Sequence, residues 1–290
     1  MAITAAIVKE LRERTDAPMM ECKKYLIETN GDVEKAIELM RKSGAAKAAK
    51  KEGRITAEGI ILVATSEDKK VGVVIEINSE TDFVARSDDF KQFASNILAI
   101  ALANRTSSVE ALLAVATENG TVDELRQALI AKIGENINIR RVELIESEYE
   151  VAHYSHGDRI GVLVNFKGAE NLGKDIAMHI AASNPQVVAP EQVSEDVINK
   201  EKEIYISQAA ESGKPQDIIE KMVVGRINKF LNEISLEGQP FVKDPDTTVG
   251  KWLKTNNAEV FAFSRFEVGE GIEKKEDNFV DEVLAQARGE

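Results

Sequence analysis

Apolar residues in the first forty positions recur at helical spacing. Ile3, Ile7 and Leu11 form one stripe, Met19, Cys22 and Leu26 a second, and Val33, Ile37 and Met40 a third, which predicts three short amphipathic helices. Pro18 suits the opening of the second helix, Asn30-Gly31 its end, and Asp32 is a good N-cap for the third. Residues 42–54 are basic and rich in small side chains, without an aromatic on which a base could stack. They read as a solvated linker helix rather than a nucleic-acid arm.

From residue 55 the pattern changes to β-branched runs, and an internal repeat emerges. Val71-Gly72-Val73-Val74-Ile75-Glu76-Ile77 matches Ile160-Gly161-Val162-Leu163-Val164-Asn165-Phe166, each preceded by another strand and a charged turn. The helical segments beginning at Lys91 and Lys174 match as well, and each half closes with a further helix and strand. Each half is thus strand, strand, helix, helix, strand, and the fold class is α+β.

The halves differ in two places. Gly72 and Gly161 are 89 positions apart, but Ala94 and Ala177 only 83, so the first half carries six extra residues between strand and helix. These fall around Asn78-Ser79-Glu80-Thr81-Asp82-Phe83-Val84. A loop gains nothing structurally from a phenylalanine unless it folds back on the core. Two readings stay open: Phe83 staples a capped turn to the core, or it is presented to another molecule. The second difference is a stretch of about fifty residues after Asn184-Pro185, in which apolar positions mark two helices around Gly213-Lys214-Pro215. An antiparallel hairpin follows, packed either on its own core or on another chain.

Composition narrows the chemistry. The 290 residues have room for two domains, and 37 Lys plus Arg against 50 Asp plus Glu give a net charge of −13. That surface suits neither nucleic acid nor an anionic membrane. The longest clear apolar run, residues 97–103, is far short of a membrane span, and the first residues run straight into a charged helix rather than a signal peptide. A cytoplasmic protein is expected. One cysteine and three histidines cannot build a thiolate-rich zinc site. No Gly-x4-Gly-Lys-Ser/Thr loop or Gly-x-Ser-x-Gly elbow occurs, and His153, His156 and His179 lack metalloprotease spacing. Gly269-Glu270-Gly271 has Lys274 where a dinucleotide fingerprint needs its third glycine, and the stretch from Asp244 has Val249 where a calcium loop needs its own. No enzyme, cofactor or metal site is expected.

Five ordered motifs carry a resemblance over essentially the whole chain. They are Val8-Lys9-Glu10-Leu11-Arg12-Glu13-Arg14-Thr15 with Met19-Met20-Glu21-Cys22-Lys23-Lys24; Thr81-Asp82-Phe83-Val84-Ala85; Ile133-Gly134-Glu135-Asn136-Ile137-Asn138-Ile139-Arg140-Arg141; Gly238-Gln239-Pro240-Phe241-Val242; and Val268-Gly269-Glu270-Gly271-Ile272-Glu273. In these the sequence resembles the bacterial elongation factor Ts family, with Asp16 and Pro18 where the family pattern has glycines and Ser79 where it has cysteine.

The resemblance implies a guanine-nucleotide exchange factor for elongation factor Tu. It divides the chain into a three-helix, ubiquitin-associated-like domain with its linker (1–54), two core subdomains (55–145, and 146–189 plus 235–268), a coiled-coil dimerisation hairpin (190–234) and a C-terminal module (269–290) whose helix, about 279–287, docks on the partner. Thr81, Asp82, Phe83 and Val84 would dislodge magnesium in the partner, and Arg12, Met19, Met20, Lys23, His156 and Val242 would bind it. An acidic dimeric adaptor without exchange activity is the alternative.

Overall fold

In the computed structural model, which describes residues 3–15, 17–210 and 215–273, the chain opens with α1 (Ala5–Thr15), α2 (Met19–Glu28) and α3 (Val33–Ala49). They close on Val8, Leu11, Cys22, Tyr25, Leu26 and Ala36. Asn30 and Gly31 take positive φ values of 54° and 85° to end α2. The Asp32 side chain accepts the Lys35 N–H at 3.1 Å and opens α3.

The first half of the core then runs β1 (Glu58–Thr65), β2 (Val71–Ser79), α4 (Asp82–Arg86), α5 (Asp88–Asn104), α6 (Val109–Leu113), β3 (Ala116–Thr117), β4 (Gly120–Thr121), α7 (Val122–Ile133) and β5 (Ile137–Glu146). The second runs β6 (Glu150–His156), β7 (Ile160–Lys167), α8 (Glu170–Ser183), α9 (Glu195–Ala210), α10 (Gln216–Ile234), β8 (Pro240–Phe241), β9 (Asp244–Thr248), α11 (Val249–Thr255) and β10 (Glu259–Glu267). Two antiparallel sheets result, ordered β1-β2-β5 and β6-β7-β10, each with the repeat's second strand in the middle. The correspondence reaches further than the sequence pattern did. A small β pair precedes the last helix in both halves, and a threonine N-caps it: Thr121 for α7, Thr248 for α11.

Every residue of β2 is buried because both faces of its sheet are covered. Alternate residues Val73, Ile75 and Ile77 join Phe90, Ala94 and Ile97 of α5 in one cluster. Val74 points the other way, into a cluster with Ile61, Val151, Leu163 and Phe266 that lies between the two sheets. The matched glycines explain the close approach. A Cβ on Gly72 would stand 2.7 Å from Val151 Cγ1, and one on Gly161 would stand 2.4 Å from Ile61 Cγ2, so each half presents a bare position to the other's side chains.

The linker reading needs correction. α3 runs unbroken through most of the stretch expected to be solvated, and its Gly44 and Ala48 are buried. A Cβ on Gly44 would meet Ala131 of α7 at 3.8 Å. Arg41 donates to the Asn119 carbonyl at 3.0 Å, and Lys51 to the Gly134 carbonyl. The covered face consists of small residues, so it carries no apolar stripe, and for the same reason the two helix backbones come close.

α9 and α10 pack on each other through Ala209, Ile219 and Val223, with Tyr205 and Ile227 beside them. Ile204, Ile206, Ile218 and Val224 stay exposed. At the base the two ends of the arm are joined: Gln186 donates to the Ile234 carbonyl at 2.8 Å, and Leu236 to that of Val187 at 2.9 Å. The Gly213-Lys214 turn and the C-terminal helix expected at about 279–287 lie outside the described residues.

Candidate functional site

Between β2 and α5 stand residues 80–87, whereas only residues 168 and 169 separate β7 from α8. The six-residue surplus is built around α4. Thr81 caps it by accepting the Val84 N–H at 3.4 Å, Ala85 is buried beneath it, and Val84 packs on the first-half core. Phe83 goes the other way: its side chain is 83 % exposed, the most exposed large apolar residue described. A staple would be buried, so the core reading of Phe83 is set aside. Asp82 pairs with Arg86 at 3.0 Å, largely in solvent, a contact worth well under about 1 kcal/mol.

The loop flanking Phe83 is held from several sides. Glu135, just past the end of α7, accepts the Thr81 N–H at 3.0 Å and the Thr81 hydroxyl at 2.8 Å. In return Glu80 accepts the Asn136 N–H at 2.6 Å and pairs with Arg54 at 3.4 Å. Ser79 donates to the Thr81 carbonyl at 2.9 Å. Beside the loop opens a cleft of about 1160 Å³, lined among others by Arg54, Ile55, Gly59, Phe83, Arg86 and Arg159.

Behind the sheet lies a buried carboxylate. β2 and β5 pair Glu76 with Arg141 and Ile77 with Ile139, leaving Arg140 as the extra residue of a bulge. Both arginines therefore reach Glu76, Arg141 at 2.6 Å and Arg140 at 3.1 Å. The Asn78 amide at 3.0 Å and the Gly269 N–H at 2.8 Å complete the shell. Burial, the largest single influence, pushes the Glu76 carboxyl up. The Gly269 N–H, Asn78 and Arg141 together outweigh it, and the net direction is below the usual carboxylate range. This cluster fixes where the chain leaves β10, since Arg140 also donates to the Glu270 carbonyl and Arg141 to that of Glu267.

The other candidate residues lie on separate elements. Met19, Met20 and Lys23 are exposed on α2 and Arg12 on α1. His156 is exposed at the end of β6, with its Nδ1 3.3 Å from the Tyr154 hydroxyl. Val242 is 40 % exposed in the β8–β9 turn. Its N–H donates to Nδ1 of His179 at 3.3 Å, so the ring proton sits on Nε2 and is donated to Gln239 Oε1 at 3.0 Å. His179 is fully buried, and that burial holds its pKa below the ordinary histidine value, partly offset by Gln239. Gln239 also donates to the Glu233 carbonyl at 2.7 Å, so the Gly-Gln-Pro-Phe-Val motif shapes the turn that presents Val242. Among the described residues no cluster of three or more His, Cys, Asp or Glu could hold a metal ion, and no helix is long and apolar enough to cross a membrane.

A sequence model of the family described as Elongation factor TS matches residues 80–270. The chain belongs to that family. Full-length relatives agree: elongation factor Ts of Methylococcus capsulatus (strain ATCC 33009 / NCIMB 11132 / Bath) is 60 % identical over 291 aligned residues, covering 99 % of each chain. Elongation factor Ts of Legionella pneumophila (strain Lens) is 58 % identical over 288, again 99 % of each. That of Halorhodospira halophila (strain DSM 244 / SL1) is 53 % identical over 289. The family match begins at Glu80 and ends at Glu270, so the elongation factor Ts pattern spans the Phe83 loop and its Glu135 clamp, and also Arg140 and Arg141. Glu76 and Glu135 escaped assignment from the sequence. The signal was present in the paired arginines of Asn136-Ile137-Asn138-Ile139-Arg140-Arg141 and in the lone acid within the apolar run of residues 71–77, but it lacked the pairing register that joins them.

Proposed function

We propose that this elongation factor Ts family member is a guanine-nucleotide exchange factor in translation elongation, acting in the cytoplasm by binding elongation factor Tu in its GDP-bound form. The observation that carries this reading is Phe83, 83 % exposed on a clamped loop that the second half of the repeat lacks. An aromatic held in water by surrounding structure serves a partner, because burying it against one returns the hydrophobic gain the free protein forgoes. Phe83, with Thr81, Asp82 and Val84 around it, would press on the partner near its nucleotide. A magnesium ion held there with the nucleotide would demand near-ideal octahedral geometry, so displacing one supporting element would weaken its hold. Exchange is then reciprocal: weakening GDP by some ratio means that GDP weakens this protein's binding by the same ratio.

The exposed Arg12, Met19, Met20 and Lys23 would grip the partner at one end, and His156 and Val242 would contact it from the second half. The exposed Ile204, Ile206, Ile218 and Val224 of the arm would serve a second copy of the chain. No cofactor is involved, and the chain forms and breaks no covalent bond.

The test is mant-GDP release from elongation factor Tu. Truncating an interface aromatic commonly costs about 2 kcal/mol or more, some thirtyfold in rate. Phe83→Ala should therefore slow release by that order while leaving the melting temperature of the free protein unchanged. Unchanged release from folded Phe83→Ala would refute the wedge and favour an adaptor without exchange activity.

A further inference from the structure

We propose that Glu135 is a positioning residue for Phe83, acting through Thr81 to hold the exposed ring at a fixed place; this rests on the exchange reading above. α4 has only five residues, too few for its own hydrogen bonds to keep it formed or aimed. Its placement must come from outside. Beneath it are Ala85 and Val84; ahead of it, the only side chain gripping Thr81 by both backbone and hydroxyl among the described contacts is Glu135.

The geometry joins three tasks at Thr81. Its hydroxyl donates to Glu135 Oε1 at 2.8 Å, which turns its lone pairs toward the Val84 N–H that it caps at 3.4 Å. Its N–H is taken by Glu135 Oε2 at 3.0 Å, and its carbonyl by Ser79 at 2.9 Å. The clamp is crossed, because Glu80 beside Thr81 accepts the N–H of Asn136 beside Glu135 at 2.6 Å. Each segment thus supplies a carboxylate to the other's backbone, and sliding either one breaks contacts in both directions. Glu135 is itself anchored, following Gly134, which ends α7 at φ +91°. The second half offers the control. Ala169 precedes α8 with no side-chain cap bond, and that connection has no exposed aromatic to aim.

A residue that merely supported the fold would alter stability and leave exchange by the folded protein intact. A positioning residue alters exchange through Phe83 alone. The experiment is therefore a double-mutant cycle in the full-length chain, reading mant-GDP release from elongation factor Tu, association with the nucleotide-free factor, and the melting curve. Misplacing a group by about an ångström commonly costs one to two powers of ten. Glu135→Ala is expected to slow release on the order of tenfold, with association changed less than about twofold, and to add little in the Phe83→Ala background. Glu135→Gln is the rescue: its carboxamide can accept the Thr81 N–H and donate to the hydroxyl, and release should return to near the unmodified rate. A wild-type rate for Glu135→Ala beside a slow Phe83→Ala would overturn the positioning role and leave the exchange reading standing. Equal slowing by Glu135→Ala with and without Phe83 would also overturn it. A wild-type rate for Phe83→Ala would remove the exchange reading itself. Should Glu135→Ala fail to fold, Thr81→Val, which keeps the backbone contact and loses the hydroxyl, carries the same expectations.

Discussion

The two halves of the core share a frame and depart from it at different connections. In the first, residues 105–108 suffice to join α5 to α6; in the second, the matching connection from α8 holds the whole α9–α10 arm. Conversely, the strand-to-helix connection is eight residues with an exposed aromatic in the first half and two residues in the second. Sheet order, central strand, capped final helix and the bare glycine facing the other sheet are common to both. Structure that must bury apolar surface is repeated, and structure free of that duty diverges. Such additions are tolerated because lengthening a surface connection whose ends stay pinned costs little chain entropy.

The comparison can be broken at Glu76, where β7 has Asn165 at the matching position. Asn165 accepts from the Ser147 hydroxyl at 2.7 Å, while the fully buried Glu76 gathers four partners. Glu76→Ala leaves Arg140 and Arg141 facing each other with only the half-exposed Glu270, 3.3 Å from Arg141, to offset them, a change that commonly costs about 3 kcal/mol. Urea unfolding should register that loss.

A smaller effect sets the second half apart by pH. The buried His179 titrates below its ordinary value, so the unfolded chain takes up the proton first as pH falls. The stability that neutral His179 contributes is complete above the unfolded value, about 6.5, and declines below it, by up to about 1.4 kcal/mol per pH unit. His179→Gln should reduce the acid slope of the unfolding profile in that range, and the slope that remains belongs to His153, whose pKa partial burial and the Lys69 charge also hold down. Glu76, with its carboxyl held low, gives way only at more acid pH, because its contribution is lost as pH falls through its folded value.

The smallest effect is expected from excising the arm. Leu231, Glu233 and Ile234 lend their carbonyls to Ser235, Gln239 and Gln186, so the cut belongs at residues 194–230 rather than through Ile234. With a short flexible linker the melting temperature should stay within about 3 °C and mant-GDP release should be unchanged. Unfolding of the deletion protein would make the arm part of the frame after all.

Much of this was legible in the sequence. Strand periodicity, the matched glycines and the offset that drops from 89 to 83 residues located both halves and the Phe83 surplus. Stripes of large apolar residues announce burial, but burial by small residues does not, and so the covered face of α3, with Gly44 and Ala48, read as solvated. Charged residues read as surface by default. Glu76 and its arginines meet across more than sixty positions, and only the bulge in β5 brings both guanidiniums to one carboxylate. The exposure of Phe83 was likewise undecided until the packing of Val84 and Ala85 showed which side of α4 faces inward.

One unbroken helix sets the spacing of the three-helix head from the Phe83 loop. Because α3 begins inside the three-helix head and ends against α7, the head is fixed rather than tethered, and α7 leads through Gly134 and Glu135 directly to the loop that carries Phe83. The span between head and loop is counted in helical residues, so one residue added to α3 would lengthen that helix by about 1.5 Å and swing the head by about 100°.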